Sequence, residues 1–236
     1  MNKNKDLMQL LESSYRKQIE DSFNLYIQTP DKYSYNFKNE RITAEGCGYY
    51  AEDFPEKDGH RFYLELSIRE NSKGKTLAAI MMNPSNTFPA QKNKPSTIDN
   101  TVKNVIRMAY KLGKYNKAII LNSFLLISGT VEKRKAEDAI HTENLKFHKE
   151  NLKIIKTFIK ENKNIDYLLA WGSKALYTDK IKDYLKNENV SNIFVYKLSK
   201  TGYPCHPSRV VENRYKYVSD FLISHDNNSS FEKFIV

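Results

Sequence analysis

The chain has 236 residues, of which 40% are hydrophobic and 28% charged, a composition typical of a soluble globular protein with a full core. The sequence contains no apolar run near the roughly 18 residues of a membrane span, no apolar signal segment and only two distant cysteines, which together favour a reducing, cytoplasmic location. The net charge of +10 favours a polyanionic partner, nucleic acid first, although a lysine-rich composition can also reflect genome composition.

The N-terminal part predicts one amphipathic helix. Apolar side chains recur every four residues over 5–28 and form one stripe, and Pro30 then prevents the helix from continuing. We therefore expect an N-terminal helical extension over 1–45 and an α/β domain over 46–236.

Two strands follow the extension. The segment RFYLELSI at 61–68 alternates apolar and polar residues, and NSKG is typical of a turn. The next run, KTLAAIMMNPS at 75–85, is apolar without alternation, as expected for a strand covered on both faces. We predict a hairpin-like strand at 61–68 that leads into the main sheet.

From residue 76 onwards strands and helices alternate, which indicates parallel strands with helices on both faces. Ser96 or Thr97 is the predicted N-cap of the first helix and Gly113 its C-cap. The fold class we predict is α/β, a three-layer sandwich with a central, mainly parallel sheet of about four strands. Its later elements are helix 96–113, strand 117–126, helix 141–162, strand 165–173, helix 174–187, strand 191–198 and helix 210–224.

Polar and aromatic residues follow each parallel strand. In such sheets ligands bind outside the carboxyl ends of the strands, so these residues are expected at one edge. In chain order they are Asn83, Ser85, Asn122, Ser123, Trp171, Gly172, Ser173, Lys200, His206 and Ser208.

The stretch TGYPCHPSRV at 201–210 holds the histidine of this set. Pro204 and Pro207 restrict the backbone on either side of His206, as expected of a loop that fixes one side chain. The set has two amides, a histidine and hydroxyls, but no carboxylate pair, Gly-rich phosphate loop or metal-type spacing. Such residues suit a neutral heterocycle, because a carboxamide offers a donor and an acceptor together and an imidazole can stabilise a departing anionic base.

Each residue also has a purely structural interpretation. Asn83 before Pro84 can start a turn, Asn122 can cap the next segment, and Trp171 can simply pack a strand end. The loop around His206 can be an ordinary surface turn. Their coincidence at one predicted sheet edge favours the functional interpretation.

A family resemblance appears at the same residues. The ordered segments IMMNPSNTF, STID, GKYNKAIILNSF, Glu143–Asn144, LLAWGS and LSKTGYPCHPS resemble the DUF1643 family over about residues 46–224. More distantly, the four strand-end motifs are similar to those of the uracil-DNA glycosylase superfamily. Asn83–Pro84 resembles its mismatch-specific branch.

The more distant resemblance implies roles for five of these residues. The catalytic residues would be Asn83, which would position the attacking water, and His206, which would stabilise the leaving base. Asn122 would read the flipped base, and Ser85 and Ser208 would hold DNA phosphates. Beside the residues that the resemblance assigns, we expect Pro84, Phe124 and Trp171 to bind the base and Ser173, Lys200 and Arg209 to bind DNA. The resemblance implies neither a metal nor a cofactor.

The sequence departs from that superfamily at two points. The aspartate and tyrosine of the fast uracil enzymes are absent, because Asn83 and Ser85 stand in their places. Arg209 and Val210 follow the H-P-S motif where a proline and a leucine are usual. No residue is therefore assigned to fill the space that a flipped base leaves in the stack of DNA bases. Asparagine is no general base, so hydrolysis must depend on the leaving base and on positioning.

The function predicted here is hydrolysis of the N-glycosidic bond of a flipped uracil, damaged base or modified base, such as viruses carry, in duplex or single-stranded DNA. Two alternatives stay open: a non-catalytic module that binds a nucleotide or nucleic acid, and a hydrolase of free nucleosides. A DNA enzyme needs a basic rim beside the pocket, and the candidates are Lys92, Lys94, Lys103, Lys200 and Arg209.

Overall fold

The computed structural model describes residues 31–37, 42–50, 61–68, 74–84, 97–125, 145–173, 175–199 and 203–207. The helices predicted over 5–28 and 210–224 lie outside these ranges. None of the helices within them is long and apolar enough to cross a membrane. The elements in chain order are β1 (Asp31–Phe37), β2 (Ile42–Tyr50), β3 (Arg61–Ile68), β4 (Lys75–Met81), α1 (Asn100–Lys111), β5 (Tyr115–Asn122), α2 (Leu145–Glu161), β6 (Asp166–Ala170), α3 (Thr178–Asn187) and β7 (Ile193–Phe194).

Over the described ranges the fold is mixed α/β, built on one seven-stranded sheet in the order β1-β2-β3-β5-β4-β6-β7. Strands β5, β4, β6 and β7 pair in parallel, as the alternation of strands and helices predicted. Strands β1, β2 and β3 add an antiparallel half, because each pairs antiparallel with its neighbour and β3 pairs antiparallel with β5. The prediction of a mainly parallel sheet is therefore correct for four strands and incomplete for the whole.

The hairpin-like arrangement predicted after β3 is wrong. Strand β3 pairs with β2 and β5, whereas β4 lies between β5 and β6. Burial does not distinguish the two candidate partners of β3, because the last five residues of β4 and of β5 are all buried.

Strands β1 and β2 occupy residues for which the sequence analysis predicted no strand. The boundary drawn between residues 45 and 46 falls inside β2, so this strand carries residues from both sides of it. Strand β2 pairs with β3 from Ala44↔Ile68 to Tyr50↔Arg61, which makes residues 42–50 part of the sheet.

Helix α1 begins at a different cap from the one predicted. Asp99, not Ser96 or Thr97, is the N-cap, and its carboxylate accepts hydrogen bonds from the backbone N–H of Thr101 at 2.7 Å and Val102 at 3.1 Å. Aspartate at this position satisfies two of the N–H groups that a helix start leaves open and also complements the helix dipole. Gly113 follows the C-cap Leu112 with φ of 67°, a left-handed conformation that glycine adopts without strain.

The core lies on both faces of the parallel strands. Along β4, Ala79 and Met81 belong to the cluster packed with α1, whereas Ala78 and Ile80 belong to the cluster packed with α2 and α3. The alternation follows from the two-residue period of a strand. It places α1 on one face and α2 and α3 on the other, with the ends of the strands between them.

Candidate active site

The carboxyl ends of β5, β4 and β6 lie level with one another. Met81 at the end of β4 is in register with Asn122 of β5 and with Ala170 of β6. The pairing continues past the strands, because the backbone N–H groups of Ser123 and Phe124 donate to the carbonyls of Met81 at 2.9 Å and Met82 at 2.8 Å. The segments that follow β4 and β5 therefore run side by side, and an asparagine lies close to the end of each strand: Asn122 is the last residue of β5, and Asn83 follows β4.

Asn122 is fully buried, and its carboxamide is not satisfied. Neither Nδ2 nor Oδ1 has a hydrogen-bond partner in the structure as described, and the residue's exposure is 0%. Its backbone carbonyl, in contrast, accepts a bond of 2.8 Å from Nδ2 of Asn151 on α2. Leaving a buried polar group without a partner costs about 1–3 kcal/mol, so a partner such as a ligand or an ordered water is needed to satisfy this carboxamide.

Asn83 lies two residues beyond the end of β4 and is 7% exposed. Its Nδ2 donates a hydrogen bond of 2.9 Å to the carbonyl of Pro84, which is itself buried. This local bond is the kind expected of an asparagine that shapes a turn, and it also orients the carboxamide. Both interpretations of Asn83 therefore have a physical basis.

Phe124 is buried and stacks on a histidine that the sequence analysis missed. The ring of His148 lies parallel to the Phe124 ring, with 4.1 Å between centroids and 9° between planes. His148 is fully buried near the start of α2, and Asn151, which holds the backbone of Asn122, lies one turn further along. The missed signal was two polar residues at helical spacing on the face of α2 that also carries Leu152 and Ile155.

Trp171 and Ser173, which both follow the end of β6, differ in burial. Trp171 is fully buried in the cluster of α2 and α3, and its Nε1 has no hydrogen-bond partner in the part of the chain that the structure describes. Ser173 is exposed. Between them Gly172 has φ of 76°, and its backbone N–H donates to the carbonyl of Pro204 at 2.9 Å.

The loop that carries His206 is tied to three parts of the fold. The Tyr196 hydroxyl donates to the carbonyl of His206 at 2.7 Å, and Nδ2 of Asn104 on α1 donates to that of Pro207 at 2.8 Å. The third tie is the bond from Gly172 to Pro204. A Cβ at Gly172 would lie 3.6 Å from Cβ of His206, so the histidine sits directly against the end of β6.

The structure thus brings three predicted segments to consecutive strand ends. Asn122 ends β5, Asn83 follows β4, and His206 lies against the residue after Trp171 at the end of β6. Neighbouring strands are about 4.8 Å apart, so the ends of adjacent strands at this edge have about that spacing.

Of the predicted rim residues, Lys103 is half-buried on α1. The predicted residues outside the described ranges are Ser85, Lys92, Lys94, Lys200, Ser208 and Arg209.

A second residue missed by sequence reasoning is Arg61, at the start of β3. Because β3 runs antiparallel to β5, its start meets the end of β5, and the backbone N–H of Arg61 donates to the carbonyl of Leu125 at 3.1 Å. The arginine is fully buried, so a positive charge lies inside the protein next to this edge.

Within the described ranges, no three His, Cys, Asp or Glu residues are grouped so as to hold a metal ion.

A family profile matches this part of the chain. The family described as "protein of unknown function (DUF1643)" matches residues 61–208, which is more than half of the sequence. The chain belongs to the DUF1643 family. The DUF1643 match runs from β3 to the loop that carries His206, and so contains all three strand ends described above.

Other comparisons add little to the DUF1643 assignment. No curated protein matches the sequence. One solved structure, described as a "putative acetyl xylan esterase" from Bacteroides fragilis, is similar with 10% identity and a TM-score of 0.34. The comparison covers 90% of this chain and 66% of that one, so the DUF1643 chain spans just under two thirds of that protein.

Proposed function

We propose that this chain is a DNA glycosylase that hydrolyses the N-glycosidic bond of a flipped uracil, damaged base or modified base. The observation that carries the proposal is the fully buried carboxamide of Asn122 at the carboxyl edge of parallel strands, where neither of its polar atoms has a partner among the residues that the structure describes. It is supported by the order of the strand-end motifs, which resembles that of the uracil-DNA glycosylase superfamily. The proposal includes that superfamily's three-layer arrangement for the whole domain.

The chemistry of Asn122 fits the edge of a nucleobase. A carboxamide presents a donor and an acceptor side by side, and the pairing edge of a base presents the complementary pair. A base bound there would satisfy both atoms and remove the cost of leaving them unpaired. Phe124 would contribute an apolar face, which His148 holds from behind by stacking.

Asn83 would position water rather than activate it. A carboxamide cannot take a proton at neutral pH, so it acts by accepting a hydrogen bond from a water molecule and holding it near the sugar C1′. The bond from its Nδ2 to Pro84 fixes the carboxamide and favours one direction for the oxygen. The rate would then depend on how readily the base departs, which suits bases with weakened glycosidic bonds.

His206 would stabilise the base as it leaves. When the glycosidic bond breaks, its electron pair goes to the base, and an imidazole N–H donated to that base lowers the barrier. The three ties on the loop hold the backbone at residues 204–207 in place before reaction. Preorganised donors of this kind cost no reorganisation in the transition state.

The test is incubation of the protein with duplex and single-stranded DNA that carries a panel of uracil, damaged and modified bases. Hydrolysis leaves an abasic site, which hot alkali converts to a strand break. We expect breaks at one class of base. Tight binding without breaks would show a binding module instead, and release from free nucleosides alone would show a nucleoside hydrolase.

A further inference from the structure

Helix α2 carries a row of exposed lysines that the candidate site does not use. Its inner face buries apolar residues such as Leu152, Ile155 and Phe158 against the sheet. Its outer face exposes lysines at intervals of four, three and four residues, which places them on one side of the helix. We call this row the α2 lysine row, and its members are Lys149, Lys153, Lys156 and Lys160.

The α2 lysine row carries more exposed positive charge than helix α3 does. Helix α3 has three lysines and two aspartates, so its charges nearly balance. Helix α2 has five lysines and two glutamates, Glu150 and Glu161. Helix α1 has the same net charge as α2, from Lys103, Arg107 and Lys111 without an acidic residue, but of these only Lys111 is exposed, whereas all four members of the α2 lysine row are exposed.

Two members of the α2 lysine row help to lower the pKa of a neighbouring carboxylate. Glu188, just after α3, forms an ion pair of 2.6 Å with Lys163, which follows α2. The hydrogen bond from Lys163 lowers the pKa of Glu188, and the charges of Lys160 and Lys156 lower it further. The positive potential of the row therefore extends to the surface beside it.

We propose that the α2 lysine row binds the phosphate backbone of duplex DNA. At a rise of about 1.5 Å per residue the four ammonium groups are spread over about 16 Å of helix. Duplex DNA carries about one negative charge per 1.7 Å of axis, so a row of this length meets several phosphates and releases their counterions. The row begins at Lys149, beside His148 and the end of β5, and extends away from the candidate site. The choice of DNA over RNA rests on the proposed function.

The experiment compares two triple variants by equilibrium binding to an unmodified duplex DNA over a range of salt concentrations. One variant, K149Q/K156Q/K160Q, removes three charges from the row. Its control, K75Q/K111Q/K186Q, removes three exposed lysines elsewhere and has the same net charge. Glutamine keeps the helix propensity of lysine, and thermal unfolding of both variants verifies that they are folded.

We expect the row variant alone to lose about 2–3 units from the slope of log affinity against log salt, with about tenfold or greater loss of affinity at low salt. Equal losses in both variants, or unchanged binding in the row variant, overturn the proposal. Tighter binding of duplex RNA than of duplex DNA overturns the choice of DNA. The unmodified probe separates this result from the proposed function, because binding to it requires no base release.

Discussion

Asn122 is the residue at which stability and function are expected to oppose each other. Its buried carboxamide has no partner among the described residues and therefore destabilises the folded chain. We predict that Asn122→Leu, which keeps the branched shape of the side chain and is apolar, leaves the free energy of unfolding unchanged or raises it by about 1 kcal/mol. The same variant should lose base release.

Thermal unfolding and single-turnover assays on the same preparation test both halves of this prediction. A loss of several kcal/mol in Asn122→Leu would mean that the carboxamide stabilises the fold, and the ligand interpretation of its burial would then be wrong. Asn122→Ala serves as the comparison, since it removes the carboxamide but also opens a cavity.

His206 is expected to contribute to rate and little to binding. Replacing it with alanine should lower single-turnover base release by about 10²–10³, because one donor to the developing anion is lost. DNA affinity should change little, because the phosphate contacts that dominate affinity remain. Wild-type rates in His206→Ala would restore the interpretation of the loop as an ordinary turn.

At the scale of elements, Gly172 links the end of β6 to the loop of His206. Its φ of 76° is costly for any residue with a side chain, although the added Cβ would meet His206 at an ordinary contact distance of 3.6 Å. We predict that Gly172→Ala destabilises the chain by about 1–2 kcal/mol. It should also lower base release, because relief of the strain moves the residue that holds Pro204.

Denaturant unfolding and single-turnover rates measure the two effects in Gly172→Ala. Gly113→Ala is a matched control, because Gly113 has a similar φ of 67°, has nothing near its added Cβ and lies at the end of α1. Gly113→Ala should lose similar stability and keep full activity. Equal activity losses in both variants would contradict the proposed link.

The sequence predicts well which segments form the strands and helices of the parallel half. It predicts poorly which strands pair with one another. The buried run of β4 and the helical stripes are local signals, and both are visible in one window of residues. The pairing of β3 with β5 instead of β4 is a tertiary feature that no single window of residues records. Asp99 was missed as the N-cap because three candidate cap residues stand within four positions.

Some residues of the candidate site were likewise predictable from the sequence, and others were not. The three strand-end segments follow from topology, since parallel strands bring their carboxyl ends to one edge. His148 and Arg61 come from α2 and from the antiparallel strand β3, and only the folded structure places these elements beside β5. Their local sequences are those of an ordinary helix and an ordinary strand.

At the scale of the whole molecule, stability is expected to fall in alkali. Burial raises the pKa of Tyr167, whose hydroxyl donates to the carbonyl of Asn162 at 3.1 Å. The folded chain keeps this phenol neutral while the unfolded chain ionises it near its ordinary pKa of 10.0. The stability is therefore fully present below about pH 10 and is lost as the pH rises beyond it.

Urea unfolding of Tyr167→Phe between about pH 8 and pH 11 tests the assignment. The variant loses the bond to Asn162, so it should start less stable by about 1 kcal/mol. Above pH 10 its stability should fall less steeply than that of the wild type. Identical pH dependence in the two proteins would assign the alkaline loss to other groups, such as Tyr177 and Tyr184, whose pKa values burial also raises.

In the proposed reaction water attacks the sugar C1′ and the base leaves intact. The most direct test is a reaction in water enriched in heavy oxygen, with DNA that carries the panel of bases, followed by mass spectrometry of the released base and of the abasic strand. We expect the released base to contain no heavy oxygen, and we expect His206→Ala to release the base and form the abasic strand about 10²–10³ more slowly. Heavy oxygen in the base, or no released base from any DNA in the panel, would contradict the proposed reaction.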